Sequence, residues 1–196
     1  MKSATSFLIL LVFSLGIQGR IIMIGDSIFD GSTIHELLES WSGEKIENYA
    51  KSGSMITTNL NQVPSIPRQY YQNKYPAPRI VIMDGGANDI FSCSPFYYQT
   101  KLNTIRQTLN KLFNDMERQN VQHVIYLGSY YVDNYNILVD YGVQMLGNVF
   151  QQALLPINFV DVRNYTIPLK HQDIHPNIQG DYILASQIWY TLKRLI

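Results

Sequence analysis

Apolar residues along the chain follow two alternating patterns. Short runs of strand length occur at Arg20–Ile24, Ile46–Ala50, Arg79–Met83, His123–Leu127 and Ile157–Val160. The near-continuous runs at Arg20–Ile24 and Arg79–Met83 suit strands buried on both faces of a sheet, while Ile46–Ala50 is a β-prone segment. Between them, apolar positions recur three and four residues apart, the period of a helix with one buried face. Ile34, Leu37, Leu38 and Trp41 predict a helix with Ser32 or Thr33 as its cap and Gly43 as its stop. Leu102, Ile105, Leu109, Leu112, Phe113 and Met116 predict a long helix within 96–119. Residues 138–154 and Ile178–Leu195 also read as helical, with Pro176 suited to the first turn of the last helix. Strands alternating with helices give a parallel sheet of about five strands, covered on both faces in a three-layer α/β/α sandwich. Such sheets bind ligands beyond the carboxyl ends of their strands. Small and polar clusters at 25–27, 52–54 and 84–89 each follow a predicted strand.

A chain of 196 residues, 46% of them hydrophobic, suits one domain with a single sizeable core, here residues 20–196. Residues 1–19 differ in kind. Lys2 precedes an apolar run from Phe7 to Ile17, and small residues follow at Gly16 and Gly19. This is the pattern of a signal peptide, and it predicts a secreted or periplasmic protein. The run falls short of the roughly 20 apolar residues of a spanning helix, so no membrane span is expected after cleavage. Lys+Arg and Asp+Glu stand at 15 each, without a run of like charge, which excludes a phosphate-tracking surface and a nucleic-acid partner. Cys93 is the single cysteine, so no internal disulfide is available and the core must hold the fold. No feature of the sequence specifies an oligomeric state.

Four clusters carry chemistry. Gly25-Asp26-Ser27 places a hydroxyl at a strand tip, where glycine permits a tight turn. A serine needs a general base and donors aimed at the oxyanion that forms on attack. Asn48-Tyr49-Ala50-Lys51-Ser52-Gly53 offers a glycine N–H for close approach. Gly85-Gly86-Ala87-Asn88-Asp89 offers a side-chain amide, and Asp173-Ile174-His175-Pro176-Asn177 offers an imidazole before the last helix.

In order and spacing these clusters resemble the blocks of the SGNH (GDSL-type) hydrolases. Ser27 matches the block I serine in GDS, Gly53 the block II glycine in N-x-A-x-x-G, Asn88 the block III asparagine in G-x-N-D, and His175 the block V histidine. The resemblance covers essentially residues 20–196, and looks closest to small bacterial esterase, thioesterase and lysophospholipase-like members. It implies a flavodoxin-like sheet and acyl transfer on Ser27 with His175 as general base. It also implies an oxyanion hole from the Ser27 and Gly53 N–H groups and the Asn88 amide, with no metal or cofactor. The G-x-S-x-G elbow of α/β-hydrolases is missing around Ser27.

One position departs from the family pattern. The triad aspartate usually stands three residues before the histidine, where this chain has Gln172; the nearest carboxylate is Asp173, two residues before it. In an extended segment that shift turns the side chain to the other face. Three readings stay open: an irregular backbone that lets Asp173 orient His175, a Ser-His dyad with Gln172 or a main-chain carbonyl fixing the tautomer, and a weakened or inactive enzyme.

His171, Asp173 and His175 alternate and would share one face of a strand, a weak zinc pattern. His35 and His123 read as a surface helix residue and a strand-start residue. Asp26 and Asp89 read as loop braces, and Asp84 has no assigned role. Tyr130 and Tyr131, in a tyrosine-rich loop that runs to Tyr135 after a predicted strand, are candidate substrate-binding residues. The expected activity is hydrolysis of carboxylic esters or thioesters of small acyl or acetyl groups, with a small-molecule or glycan ester as partner. An exported polysaccharide O-deacetylase and a catalytically silent ligand-binding scaffold are the alternatives.

Overall fold

The computed structural model describes residues 19–59, 62–132 and 136–196. All but the last residue of the expected signal peptide, and Tyr135, lie outside the described residues. Five strands form one sheet: β1 (Ile21–Ile24), β2 (Ile46–Asn48), β3 (Ile80–Met83), β4 (His123–Leu127) and β5 (Ile157–Val160). Their order is β2-β1-β3-β4-β5, and every neighbouring pair is parallel. The parallel sheet expected from the alternation is present. β1 and β3 are buried along their whole length because helices cover both faces.

Alternation within each strand sorts side chains to the two faces. Ile22, Ile24, Val81 and Met83 point to a core shared with α2 (Ile66–Asn73), α3 (Ala87–Phe91), α4 (Tyr98–Arg118) and α5 (Asn136–Gln152). Ile21, Met23, Ile80 and Ile82 point to a core shared with α1 (Ile34–Ser42) and α6 (Ile178–Leu192). The result is the expected three-layer sandwich. Among the described residues, no helix is long and apolar enough to cross a membrane.

Four local features differ from the sequence expectation. Helix α2 is not among the expected helices, because polar residues such as Arg68, Gln69 and Asn73 keep its hydropathy low over only eight residues; Ser65 caps it by accepting from the Arg68 N–H. The 84–89 cluster is not all loop, since α3 begins at Ala87 and holds Asn88 in its first turn. Five residues are too few to display a helical period. Pro176 stands before the cap of α6 rather than inside its first turn: Asn177 is the N-cap, its side-chain oxygen accepting from the Gln179 and Gly180 N–H groups. Thr33 precedes α1 without a side-chain cap bond, because its hydroxyl donates to Asp181 on α6.

Helix α6 rests directly on the segment that returns toward the site. A Cβ on Gly180 would lie 2.4 Å from the Pro168 carbonyl oxygen and 2.8 Å from the Pro176 Cβ. Backbone cannot yield as a side chain does. Gly180→Ala is therefore expected to destabilise the protein by about 1–3 kcal/mol, read as a lowered urea midpoint; an unchanged midpoint would show that α6 shifts freely.

Candidate active site

The carboxyl end of β1 is shaped by what surrounds Gly25. Gln69, reaching from α2, accepts from the Gly25 N–H at 2.8 Å and donates to the Gly25 carbonyl at 2.9 Å and to Ser54 Oγ at 2.8 Å. A single buried amide thus binds the end of β1 to the loop that carries Gly53. Asp84, at the end of β3, accepts from the Asp26 N–H at 2.9 Å. A Cβ on Gly25 would fall 1.8 Å from Asp84 Oδ1, so glycine is required for the approach. Asp84 and Gln69 are the residues that sequence reasoning missed here. The Ser65 cap followed by Pro67 was the available signal for the helix that carries Gln69.

Ser27 follows on this braced turn. Its hydroxyl donates to His175 Nε2 at 2.8 Å, and the His175 Nδ1–H donates to Asp173 Oδ1 at 2.6 Å. An ionised carboxylate only accepts, so this pair of bonds selects the neutral tautomer with its proton on Nδ1 and a free acceptor at Nε2. The bond from His175 holds the Asp173 carboxyl below its usual range.

The segment around Asp173 is not extended. Gln172 is left-handed at φ +56, the Asp173 N–H donates to the Lys170 carbonyl at 3.2 Å, and Asp173 Oδ1 accepts from the N–H groups of Ile174 (2.7 Å) and His175 (3.2 Å). A side chain that accepts from the N–H two residues on folds the chain back in an Asx turn, which brings an aspartate at this spacing to the imidazole. The base of the loop is closed by an antiparallel bridge from Leu169 to Pro176, by the Lys170 N–H donating to the His175 carbonyl, and by the Tyr130 hydroxyl donating to the Ile174 carbonyl at 2.7 Å. Because 171–175 form a turn, His171, Asp173 and His175 do not share a strand face. Among the described residues, no group of three His, Cys, Asp or Glu side chains could hold a metal ion.

Asn88 sits between the other clusters. Its Nδ2 donates to the Ser54 carbonyl at 3.0 Å and to Asp26 Oδ2 at 3.4 Å, touching the residue after Gly53 and the residue before Ser27. Gly53 is left-handed at φ +79. Among the described residues, the N–H groups of Ser27 and Gly53 meet no acceptor within the protein, so both stay available to a ligand. Asp89 is fully buried on α3 and accepts from the Ile56 N–H (2.6 Å), the Thr57 N–H (3.0 Å) and the Thr57 hydroxyl. It braces the loop after Gly53 from behind.

The two tyrosines part company. Tyr130 is buried and lines a cavity of about 110 Å³ that adjoins the site, while its hydroxyl is spent on the histidine loop. Tyr131 is exposed, does not line that cavity, and donates to Asp140 at 2.8 Å. Cys93 is half-buried and follows α3, with its thiol against the Ser94 carbonyl.

Burial raises the carboxyl of Asp26, and raises Asp84 well above the ordinary range, with the neighbouring Asp26 charge adding to the shift. Asp84 therefore stays protonated where a free aspartate would ionise. The folded chain then binds more protons than the unfolded one, and stability falls as pH rises from the usual carboxylate range toward the raised value. Asp84→Asn keeps the acceptor for the Asp26 N–H and stays neutral at every pH. Its urea midpoint is expected to drop less than that of the wild type as pH rises above the usual carboxylate range; parallel losses in the two proteins would contradict a protonated Asp84.

The family model described as GDSL-like lipase/acylhydrolase matches residues 21–188. No curated protein sequence matches the chain. Among solved structures, a carbohydrate esterase whose active site serves catalytic and non-catalytic binding functions is similar at 16% identity and a TM-score of 0.70, over 90% of this chain and 69% of that one. TesA is similar at 20% identity and a TM-score of 0.67, over 90% of this chain and 99% of that one. Axe2, an acetylxylan esterase from Geobacillus stearothermophilus, is similar at 17% identity and a TM-score of 0.63, over 90% of this chain and 94% of that one.

Proposed function

The chain belongs to the GDSL-like lipase/acylhydrolase family and is an SGNH-type esterase, and from that premise we propose that it cleaves esters through an acyl-enzyme on Ser27. The observation that carries this reading is the unbroken line of hydrogen bonds from the Ser27 hydroxyl through His175 to Asp173. His175 Nε2 takes the hydroxyl proton as Ser27 Oγ attacks the ester carbonyl, and a C–Oγ bond forms. The oxyanion is received by the N–H groups of Ser27 and Gly53 and by the Asn88 amide, which exchanges its long 3.4 Å bond to Asp26 Oδ2 for the oxyanion. The tetrahedral adduct collapses, the bond to the leaving alcohol breaks, and the imidazolium returns its proton to that oxygen. Water then enters, gives a proton to His175 and attacks the acyl carbon; the C–Oγ bond breaks as the imidazolium returns that proton to Ser27 Oγ, which frees the acid and restores the serine.

Asp173 fixes the tautomer of His175 and stabilises the imidazolium that forms in each half-reaction. The missing carboxylate at position 172 is thereby compensated one residue later. This argues against the silent-scaffold alternative, as do the N–H groups of Ser27 and Gly53, which meet no acceptor among the described residues. The expected leader at residues 1–19 assigns the activity to the cell exterior or periplasm.

A second reading, removal of acetyl groups from a glycan, draws on the two carbohydrate esterases that share the fold. It requires a site closed to longer acyl chains.

The roles of Asp173 and Gln172 separate by substitution. Asp173→Asn is expected to lower kcat on a p-nitrophenyl ester by up to ~10⁴-fold, through loss of the correct tautomer. Gln172→Gly, which suits the left-handed backbone there, is expected to leave kcat within about threefold of the wild type, because a substitution that removes no transition-state contact leaves turnover intact. Loss of activity in Gln172→Gly with retention in Asp173→Asn would instead favour the dyad.

A further inference from the structure

A cavity of about 110 Å³ is lined by the chain neighbours of the reacting pair. Asp26 and Ile28 flank Ser27, Ile174 precedes His175, and all three line the cavity. From there it crosses the carboxyl ends of β3 and β4, past Gly85 and Gly128, and ends among Leu102, Ile105 and Leu146 of α4 and α5. Its lining changes along this path. Among the described residues that line it, the only carboxylates, Asp26 and Asp84, stand at the serine end, and the helix end is aliphatic. A chain with one polar carbonyl and a hydrocarbon tail has the same gradient.

Helix α5 supplies the second observation. Gly142 lines the cavity from inside a helix, where glycine is disfavoured. A Cβ built on it meets nothing within 4 Å. Among the described residues, the position therefore faces open space and is not a close helix contact. Resting on the reading of Ser27 as nucleophile, we infer that this cavity is the acyl pocket, that it takes an aliphatic acyl chain, and that Gly142 sets how long a chain it admits. A dry cavity of about 150 Å³ accepts a six-carbon ring, so about 110 Å³ suits a chain of about four to six carbons.

The test compares kcat/KM on the p-nitrophenyl esters of acetate, butanoate, hexanoate and decanoate for the wild type, Gly142→Ala and Gly142→Phe, with circular dichroism confirming the fold. In parallel, calorimetry follows hexanoate and acetate binding to Ser27→Ala and to Ser27→Ala combined with Gly142→Phe. The wild type is expected to prefer butanoate or hexanoate. Gly142→Phe is expected to lower the ratio of hexanoyl to acetyl kcat/KM by about tenfold or more, with Gly142→Ala in between. If the Gly142→Phe variant does not fold, Gly142→Ala carries the comparison. Hexanoate is expected to bind Ser27→Ala more tightly than acetate, and to lose that advantage in the double variant, where an aromatic ring fills the space.

A wild type that prefers acetate, or a folded Gly142→Phe with an unchanged chain-length profile, overturns the pocket. Failure of the underlying reading looks different: Ser27→Ala would still turn over esters, or the wild type would turn over none. In either case the hexanoate measurement still decides whether the cavity holds an acyl chain.

Discussion

The hydrogen bond between Ser27 and His175 joins residues 148 positions apart, and the rest of the architecture serves to bring its two ends together. One end stands on the turn after β1, a central strand of the sheet. The other stands on a loop that is anchored at its far side by α6. Neither end is rigid by its own sequence. Gln69 and Asp84 hold the first through the backbone of Gly25 and Asp26. Tyr130 and the contact of Gly180 with the Pro168 carbonyl hold the second. Asp181 accepts from the Thr33 N–H at 2.9 Å, which ties the start of α6 to the start of α1. The serine loop leads into α1, so this bond couples the two ends a second time.

Charge is distributed unevenly across the site, with consequences for the chemistry. Asp173 lies in the open and is held ionised by its bond from His175. Asp26 and Asp84 are buried and pushed toward their neutral forms. The base is thus oriented by a carboxylate that ionises readily, while the carboxyls closest to the cavity carry less charge into it. That division lets an apolar space begin within one residue of the nucleophile. A charged pair at the same place would resist desolvation by a hydrocarbon chain.

Much of this was legible in the residue pattern. All five strands lie where the residue pattern places them, most plainly β1 and β3, which are buried along their whole length and hold no polar position. Ser27, Gly53, Asn88 and His175 could be named because the clusters that hold them resemble the family's blocks in order and spacing. Asp173 could be named as a candidate, but its reach depends on a left-handed Gln172, a conformation rarely taken by a residue with a side chain and therefore not signalled by sequence. Gln69 and Gly142 were hidden for opposite reasons. Gln69 is a buried polar residue in a short helix of low mean hydropathy, and its partners are the Gly25 main chain, 44 residues away, and the Ser54 hydroxyl, 15 residues away. Gly142 reads as a helix-disfavouring residue until the empty space in front of it is seen.

The central claim is that His175 activates Ser27, and the most direct measurement is covalent labelling of the folded protein with a fluorophosphonate, with the adduct located by mass spectrometry. The account predicts a single adduct on Ser27, absent from Ser27→Ala and strongly diminished in His175→Ala, since an unactivated serine is a weak nucleophile. An adduct on another residue, labelling of Ser27 that is indifferent to His175, or no labelling of a protein with native circular dichroism would contradict it.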